Sequence, residues 1–468
     1  NTGELMIILG TNSIKDTGYN VANSVRFNRG DSPTLKRTPS SASNRDTWTW
    51  SGWVKRSGLG TIQVLFGATV GNNPEIFYFN SDDTFIYHHD IPGSDYKLIS
   101  SQVFRDVSAW MHIVVAKDTT QSTETNRLKI YVNGSQITMN ESALGYPAQN
   151  FDGAINNNTE HTLGDWDTDA GSNSYFLDLY MCEVFFIDGS QLVASSFGEF
   201  DSDSPTIWKP KDCKADLTFG TNGFYLDFAD SGDLGDDESG NGNDYTEANL
   251  AATDQATDTC TNNFCTMNPL IPTSNVTFSE GNCKIVSDAS NPMAGAGVGT
   301  FGLTAGKWYY EVKIASLVDN HTHGAVSENT TELYTNVSAI QNDTGVTSWI
   351  NGDGGEVVVD GTATTNDYGL YTDGQIMGVA LDIDNYNITY LRNGSALVSD
   401  FNMSTTRGTI FPLIKTGVNT TSEVNFGGCS AFSISSAQSD QNGYGNFEIA
   451  PPSGYLAICS KNLGSDGG

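Results

Sequence analysis

Helical periodicity is nearly absent from this chain of 468 residues. Helix bundles and doubly wound α/β folds need apolar residues that recur every helical turn, so both are excluded. Positive charge is also scarce: 23 Lys and Arg stand against 55 Asp and Glu, a formal charge of −32. Nucleic acid, whose phosphates demand a basic surface, is therefore not an expected partner. The same argument sets aside an anionic membrane surface. No apolar run approaches the ~20 residues of a spanning helix, so no membrane insertion is expected. The run "LMIILG" near the start is too short for a signal core and lacks a basic flank. The seven cysteines are an odd count, with no CxxC pair and no Cys/His array of zinc spacing. GxSxG, HExxH and P-loop signatures are missing too. Glu183 and Asp188 are the paired acids of "CEVFFIDG", but five positions apart on a strand they face opposite ways. A role without catalysis is the expectation.

What the chain has in quantity is glycine, 49 residues, with 11% aromatic side chains. Short alternating runs bounded by Gly, Asn, Asp or Ser dominate, among them "EIFYFNSDD", "TFIYHHD" and "MHIVVAKD". One arrangement recurs. "MHIVVAKD…NRLKIYVNGSQI" parallels "IMGVALDIDNYNITYLRNGSAL", each a strand, a connection and a strand ending in Asn-Gly. Asn133-Gly134 and Asn393-Gly394 suit the positive φ angles of a tight hairpin. The fold class is therefore all-β: two tandem antiparallel β-sandwiches of concanavalin-like, jelly-roll type. The stretch "DFADSGDLGDDESGNGNDYTEANLAATDQATD" reads as an acidic Gly/Asn-rich connector. The expected division is an arm at 1–19, a sandwich at 20–228, the connector at 229–270, a second sandwich at 271–428 and a closing segment at 429–468. In that last segment Tyr455, Ala457 and Cys459 alternate with Leu456 and Ile458, as in a late strand returning to a sheet.

Three tryptophans crowd "DTWTWSGWVKRS". On a strand Trp48, Trp50 and Val54 share one face, while Thr49, Ser51, Trp53 and Lys55 share the other. The small polar residues beside Trp48 and Trp50 mark the tryptophan face as the buried one. Trp53 is expected to lie beneath a neighbouring segment.

"NSVRFNRGDSPTLKRTPSSASNRDTWTWSGWVKRS", "WMHIVVAKD" and "LKIYVNGSQI" are similar to laminin-G-like, concanavalin-type jelly rolls. "GKWYYEVKI", "GQIMGVALDIDNYNITYLRNG" and "IFPLI…SEVNFGG" look like a SPRY domain, itself a bent β-sandwich. The whole order, with "GTNGFYLDF", "SGNGNDYT" and "APPSGYLAICSKNL", resembles structural appendage proteins of marine tailed phages, described as tail fibres or head fibres. That resemblance implies a virion surface protein, extracellular after release from the host cell. The implied partners are host-surface polysaccharide, other virion proteins and further copies of the chain, with a trimer favoured. The E-x-D-x-x-E run of concanavalin-type glucanases is not found. The family pattern carries Pro and Ala where this chain has Cys260 and Cys265, and that paired departure points to a local disulfide. Otherwise the cysteines read as small buried hydrophobes.

Recognition is sought on loops. In "HTLGDWDTDAGSNSYF", Trp166 between Asp165 and Asp167 offers a sugar an aromatic face and hydrogen-bonding carboxylates. Asp165, Asp167 and Asp169 begin like an EF-hand loop, but the pattern then fails at Ala170 and Phe176. Calcium remains the candidate ion, held there or by Asp236, Asp237 and Asp244 in the connector. His321 and His323 would share one strand face, yet a solvent-facing loop is the expected setting. The functional expectation is non-covalent glycan binding or appendage assembly. The alternatives are a purely structural joining module and, less favoured, a polysaccharide depolymerase.

Overall fold

The computed structural model describes residues 18–90, 95–141, 145–166, 175–271, 273, 275–287, 295–318, 321–335, 340, 343–350, 355–364 and 366–466. It is an all-β chain that divides into two compact units, one of Thr17–Thr261 and one that contains Asn262–Gly468.

The N-terminal unit is a sandwich of two antiparallel sheets. In hydrogen-bonded order, the first sheet runs Ser135–Gln136, Leu128–Val132, Met111–Asp118, Thr47–Arg56, Leu179–Asp188, Ser24–Phe27 and Gln255–Ala256. The second runs Met139–Glu141, Tyr96–Val103, Thr84–His89, Asn73–Phe79, Gln63–Val70, His161–Leu163, Thr34–Arg37 and Thr246–Ala248. Alternation puts Trp48, Trp50, Phe66, Phe77, Phe186 and Leu163 into one core between the sheets. Trp48 and Trp50 are fully buried; Trp50 meets Phe77 edge-on at 5.1 Å. Trp53, on the opposite face, stacks on His112 at 4.9 Å. The Asn133-Gly134 turn takes φ values of 46° and 80°, the double positive step of a tight hairpin.

An ion pair with both side chains fully buried lies inside this core. Lys117 Nζ meets Glu75 Oε1 at 2.6 Å with neither side chain exposed. Glu75 also accepts from the Tyr87 hydroxyl at 2.6 Å and from the Ile155 amide at 2.8 Å. Burial opposes ionisation of Glu75, but Lys117, His89 and these donors hold its carboxyl down to about 2.

Residues 229–261 do not form a connector. Thr246–Ala248 pairs with Thr34–Arg37, and Gln255–Ala256 pairs with Ser24 and Val25. Leu234 and Tyr245 join the main core. The boundary therefore falls after Thr261 rather than after residue 228. The acidic and amide side chains that suggested a linker organise tight turns instead. Asp237, buried, accepts from the amides of Tyr225, Ser239 and Asn243 and from the Ser239 hydroxyl at 2.8–2.9 Å.

The C-terminal unit repeats the two-sheet plan. One sheet runs Val276–Ser279, Lys284–Ser287, Thr421–Asn425, Lys307–Ser316, Ile376–Asp382, Asn387–Arg392 and Ser395–Asn402. The other runs Gly295–Val298, Ile410–Thr416, His321–Ser327, Val346–Ile350, Glu356–Val359 and Thr362–Ala363. Trp308, Tyr310, Val312, Val379, Leu381 and Ile414 contribute to the core. The closing segment returns as expected, Leu456–Ala457 lying parallel to Trp308 and Tyr309.

Candidate functional site

The outer surface of the second sheet in the N-terminal unit presents the most varied chemistry. Because Leu35, Phe66, Phe77, Tyr87 and Leu98 point into the core, their neighbours point outward. The pairing register aligns one outward row as Thr246, Lys36, Thr162, Gly67, Ile76, His88 and Lys97. A second row is Val64, Tyr78, Ile86 and Ile99. Gly67 keeps the first row flat, since a Cβ there would come within 2.8 Å of the Glu75 carbonyl oxygen.

Onto the apolar middle of this surface the loop after His161–Leu163 lays two aromatic rings. Trp166 and Tyr175 stack at 5.5 Å and 19°, packed against the cluster of Val64, Ile76, Tyr78 and Ile86. Polar groups tie the two ends of this loop together. Asp165 accepts from the Tyr175 amide at 3.2 Å, its carbonyl accepts from the Thr162 hydroxyl at 2.6 Å, and the Val64 amide donates to the Tyr175 carbonyl at 3.0 Å. Trp166 is half-buried, and its indole Nε1 finds no acceptor among the described residues. Burial, with Tyr175 and nearby carboxylates, pushes the Tyr78 hydroxyl up to about 12, so it stays a donor.

Beside the other end of His161–Leu163 opens a polar cleft of about 650 Å³, lined by Lys36, Arg37, Ser40, Glu160, Asn243 and Asp244 among others. Lys36 Nζ lies 3.3 Å from Glu160, a half-exposed pair that is weakly held in water. Arg37 is bonded to Asn243 Oδ1 and to the Asn222 carbonyl. Aromatic and polar features thus share one sheet surface, a combination that can stack one ring and bond the hydroxyls of another.

Of the residues singled out from the sequence, Asp165, Trp166 and Asp244 lie at this surface. Asp165 serves the loop's own amide, and Trp166 is a packed platform rather than a free loop tip. Asp167 and Asp169 lie outside the described residues. Asp236 is exposed, and Asp237 is occupied by its own turn. Burial, with Glu238, Asp244 and Asp233 nearby, raises the Asp236 carboxyl. Among the described residues no three His, Cys, Asp or Glu converge as a metal would require. Lys36, Glu160, Tyr78 and Tyr175 were not anticipated; the in-out alternation of "PTLKRT" was the available signal for Lys36.

Two expectations are corrected. All seven cysteines are thiols, so Cys260 and Cys265 are not bridged. Cys265 instead packs beside Thr300 within the C-terminal unit, whereas Cys260 belongs to the N-terminal unit. His321 and His323 are not in a solvent-facing loop but fully buried on His321–Ser327. Both Nδ1 atoms reach the buried Tyr371 hydroxyl, His323 at 3.3 Å. Their Nε2 atoms have no partner among the described residues. Burial drives His321 down to about 3 and His323 well below its usual range, so both are neutral.

Comparison with known proteins agrees with this architecture. Residues 29–170 match the concanavalin A-like lectin/glucanases superfamily in its laminin G form, and residues 307–429 match the SPRY domain. The chain thus carries a concanavalin-like domain followed by a SPRY domain, both of them folds used for binding carbohydrate or protein. No curated protein matches the chain. Among solved structures, the native heptameric SAP-like pentraxin from Limulus polyphemus is 14% identical, covering 37% of this chain and 80% of its own, with a TM-score of 0.28. The SPRY domain of human HERC1 is 13% identical over 36% of this chain and 99% of its own, with a TM-score of 0.27. The TRIM65 PSpry domain is 15% identical over 34% and 91%, with a TM-score of 0.27.

Proposed function

We propose that this chain is a surface appendage protein of a tailed-phage virion that binds host-surface polysaccharide without turnover. The observation that carries the reading is the Trp166–Tyr175 stack on the same sheet surface as the polar cleft of Lys36, Glu160 and Asp244. One sugar ring would lie against the aromatic pair, and the hydroxyls of another ring of the same chain would bond the carboxylates and the ammonium group at the far end of His161–Leu163. The fold family supports binding of this general kind. Each contact is shallow and partly wet, so a single site is weak. Several copies on one appendage make later contacts intramolecular and raise the overall strength by about 10²–10⁴. Calcium enters this reading only as a variable of the test, since Asp165 and Asp237 already accept from amides of their own loops.

A second reading, a module that joins virion parts, is favoured by one observation. Phe200 is 47% exposed and packs edge-on against Trp208 at 4.9 Å. Such an apolar knob suits a protein partner.

The test is a glycan array with the purified protein, with and without calcium, followed by binding to host cells and to cells stripped of polysaccharide. Trp166→Ala and Lys36→Ala should each lower binding to intact cells by tenfold or more, on the order of the ~1.4 kcal/mol that one decade represents, while circular dichroism is unchanged. Equal binding to stripped cells would defeat the glycan reading. Shortened oligosaccharides in the supernatant would replace binding with hydrolysis.

A further inference from the structure

We infer that Cys182 and Cys260 are a latent disulfide pair, which closes when the protein meets an oxidising disulfide pool and fastens the last segment of the N-terminal unit onto its central strand. In Leu179–Asp188, Met181 and Val184 point into the core, so Cys182 points to the outer side of the first sheet, opposite Trp53. Its neighbours there come from both sides. Val25 pairs with Met181 on one side, which sets Ser24 beside Cys182. Lys55 pairs with Tyr180 on the other.

After Gln255–Ala256 the chain crosses over this patch and is anchored to both flanking strands. The Ser24 hydroxyl donates to the Asp258 carbonyl at 2.6 Å. The Asp258 carboxylate accepts from Lys55 Nζ at 2.7 Å and from Trp110 Nε1 at 2.9 Å. These bonds straddle Leu179–Asp188, so the segment lies above Tyr180 and Cys182. The next alternate residues turn aside: the Thr259 hydroxyl donates to the Val21 carbonyl at 2.9 Å, and the Thr261 hydroxyl accepts from the Val21 amide at 3.0 Å. With Thr259 and Thr261 engaged on that side, Cys260 faces the sheet as Asp258 does. The two thiols are hydrogen-bonded to each other. None of the remaining cysteines is assigned to this patch by the pairings that place these two.

Cys260 is half-buried as a residue but its thiol faces the sheet, and Cys182 is fully buried, so glutathione reaches the pair from the Cys260 side as this segment lifts from the strand. Cys260, as thiolate, attacks one sulfur of oxidised glutathione, and one glutathione thiolate leaves. Cys182 then gives up its proton and attacks the Cys260 sulfur of that mixed disulfide, releasing the second glutathione. One protein disulfide and two glutathione thiols result, so electrons and protons balance. Burial raises both thiols above their usual range, which makes the reaction slow at neutral pH.

The experiment incubates the full chain with oxidised glutathione at mildly alkaline pH, followed by intact mass, thiol titration and peptide mapping. The expected product is lighter by about 2 Da, with two thiols lost and one peptide linking positions 182 and 260. Its thermal midpoint should rise relative to the reduced chain. Cys182→Ser and Cys260→Ala should each abolish the mass loss and the rise while giving the circular dichroism of the reduced parent. Persistence of all seven thiols after exhaustive oxidation would overturn the inference, as would a map linking Cys260 to Cys265. If a variant fails to fold, the peptide map of the parent alone decides.

Discussion

Glu75 and Lys117 illustrate how costly a single partner can be. Both are fully buried, and each is the other's neutralising charge. Glu75→Gln keeps the shape but leaves an ammonium group in the core without its counterion. Removing one member of such a pair costs about 3–5 kcal/mol. Urea unfolding should therefore show a lower midpoint of that size with an unchanged slope; a shift under about 1 kcal/mol would mean that water reaches Lys117. Some residue-level facts are legible in sequence because they are local. The burial of Trp48 and Trp50 follows from two-residue alternation. The Glu75–Lys117 pair is not legible, since its members lie 42 positions apart and meet only when the sheets face each other. The same holds for the Tyr175 ring stacked on Trp166, which depends on a backbone bond to Val64.

At the scale of the element, His321–Ser327 carries a consequence of its buried imidazoles. His321 has a folded value near 3 against an ordinary 6.5, and burial, with His321 beside it, holds His323 well below 6.5 too. Between those values the unfolded chain binds more protons than the folded one. The stabilising effect is thus full above about pH 6.5 and is lost as pH falls, by about 1.4 kcal/mol per pH unit for each histidine. Glu311 works the other way: burial raises its carboxyl to about 7, so its penalty grows from pH 4.5 toward 7. Comparing a variant with its parent isolates the histidine. His323→Leu should flatten the fall of the thermal midpoint between pH 6.5 and 4 in the transition of the C-terminal unit. Parallel curves for parent and variant would show that His323 is not a source of acid sensitivity. The sequence "HTHG" looked like a loop because both imidazoles are polar. Their shared partner, Tyr371, stands some fifty positions away, beyond any local pattern.

For the whole molecule, the revised boundary changes where the chain can be divided. Fragments 18–261 and 262–468 should each fold, give β-type circular dichroism and melt cooperatively. A fragment ending at 235 should not, because it loses Tyr245 from the core and both pairings made by Thr246–Ala248 and Gln255–Ala256. Folding of that shorter fragment, or aggregation of both longer ones, would remove the division. The all-β class and the two sandwiches were legible, because strand periodicity and Asn-Gly turns are short-range signals. The connector was misread for a reason of the same kind. Asp, Gly and Asn mark sharp turns as well as linkers, and only the return of 246–248 to 34–37 tells the two apart.

The pairing of Ser24 with Ala256 has a mechanical meaning. The chain enters and leaves the N-terminal unit along adjacent antiparallel strands, and Val21 is bonded to Thr259 and Thr261 at the same doorway. A unit whose ends meet in this way is a cassette, transferable into a host loop without spanning a gap. It is also the geometry of a zipper under tension. Force applied at the two ends acts across the strands, so their hydrogen bonds are loaded one after another instead of together. The unit would open from its doorway inward, and its resistance to pull would be set by the few contacts there rather than by the large core behind them.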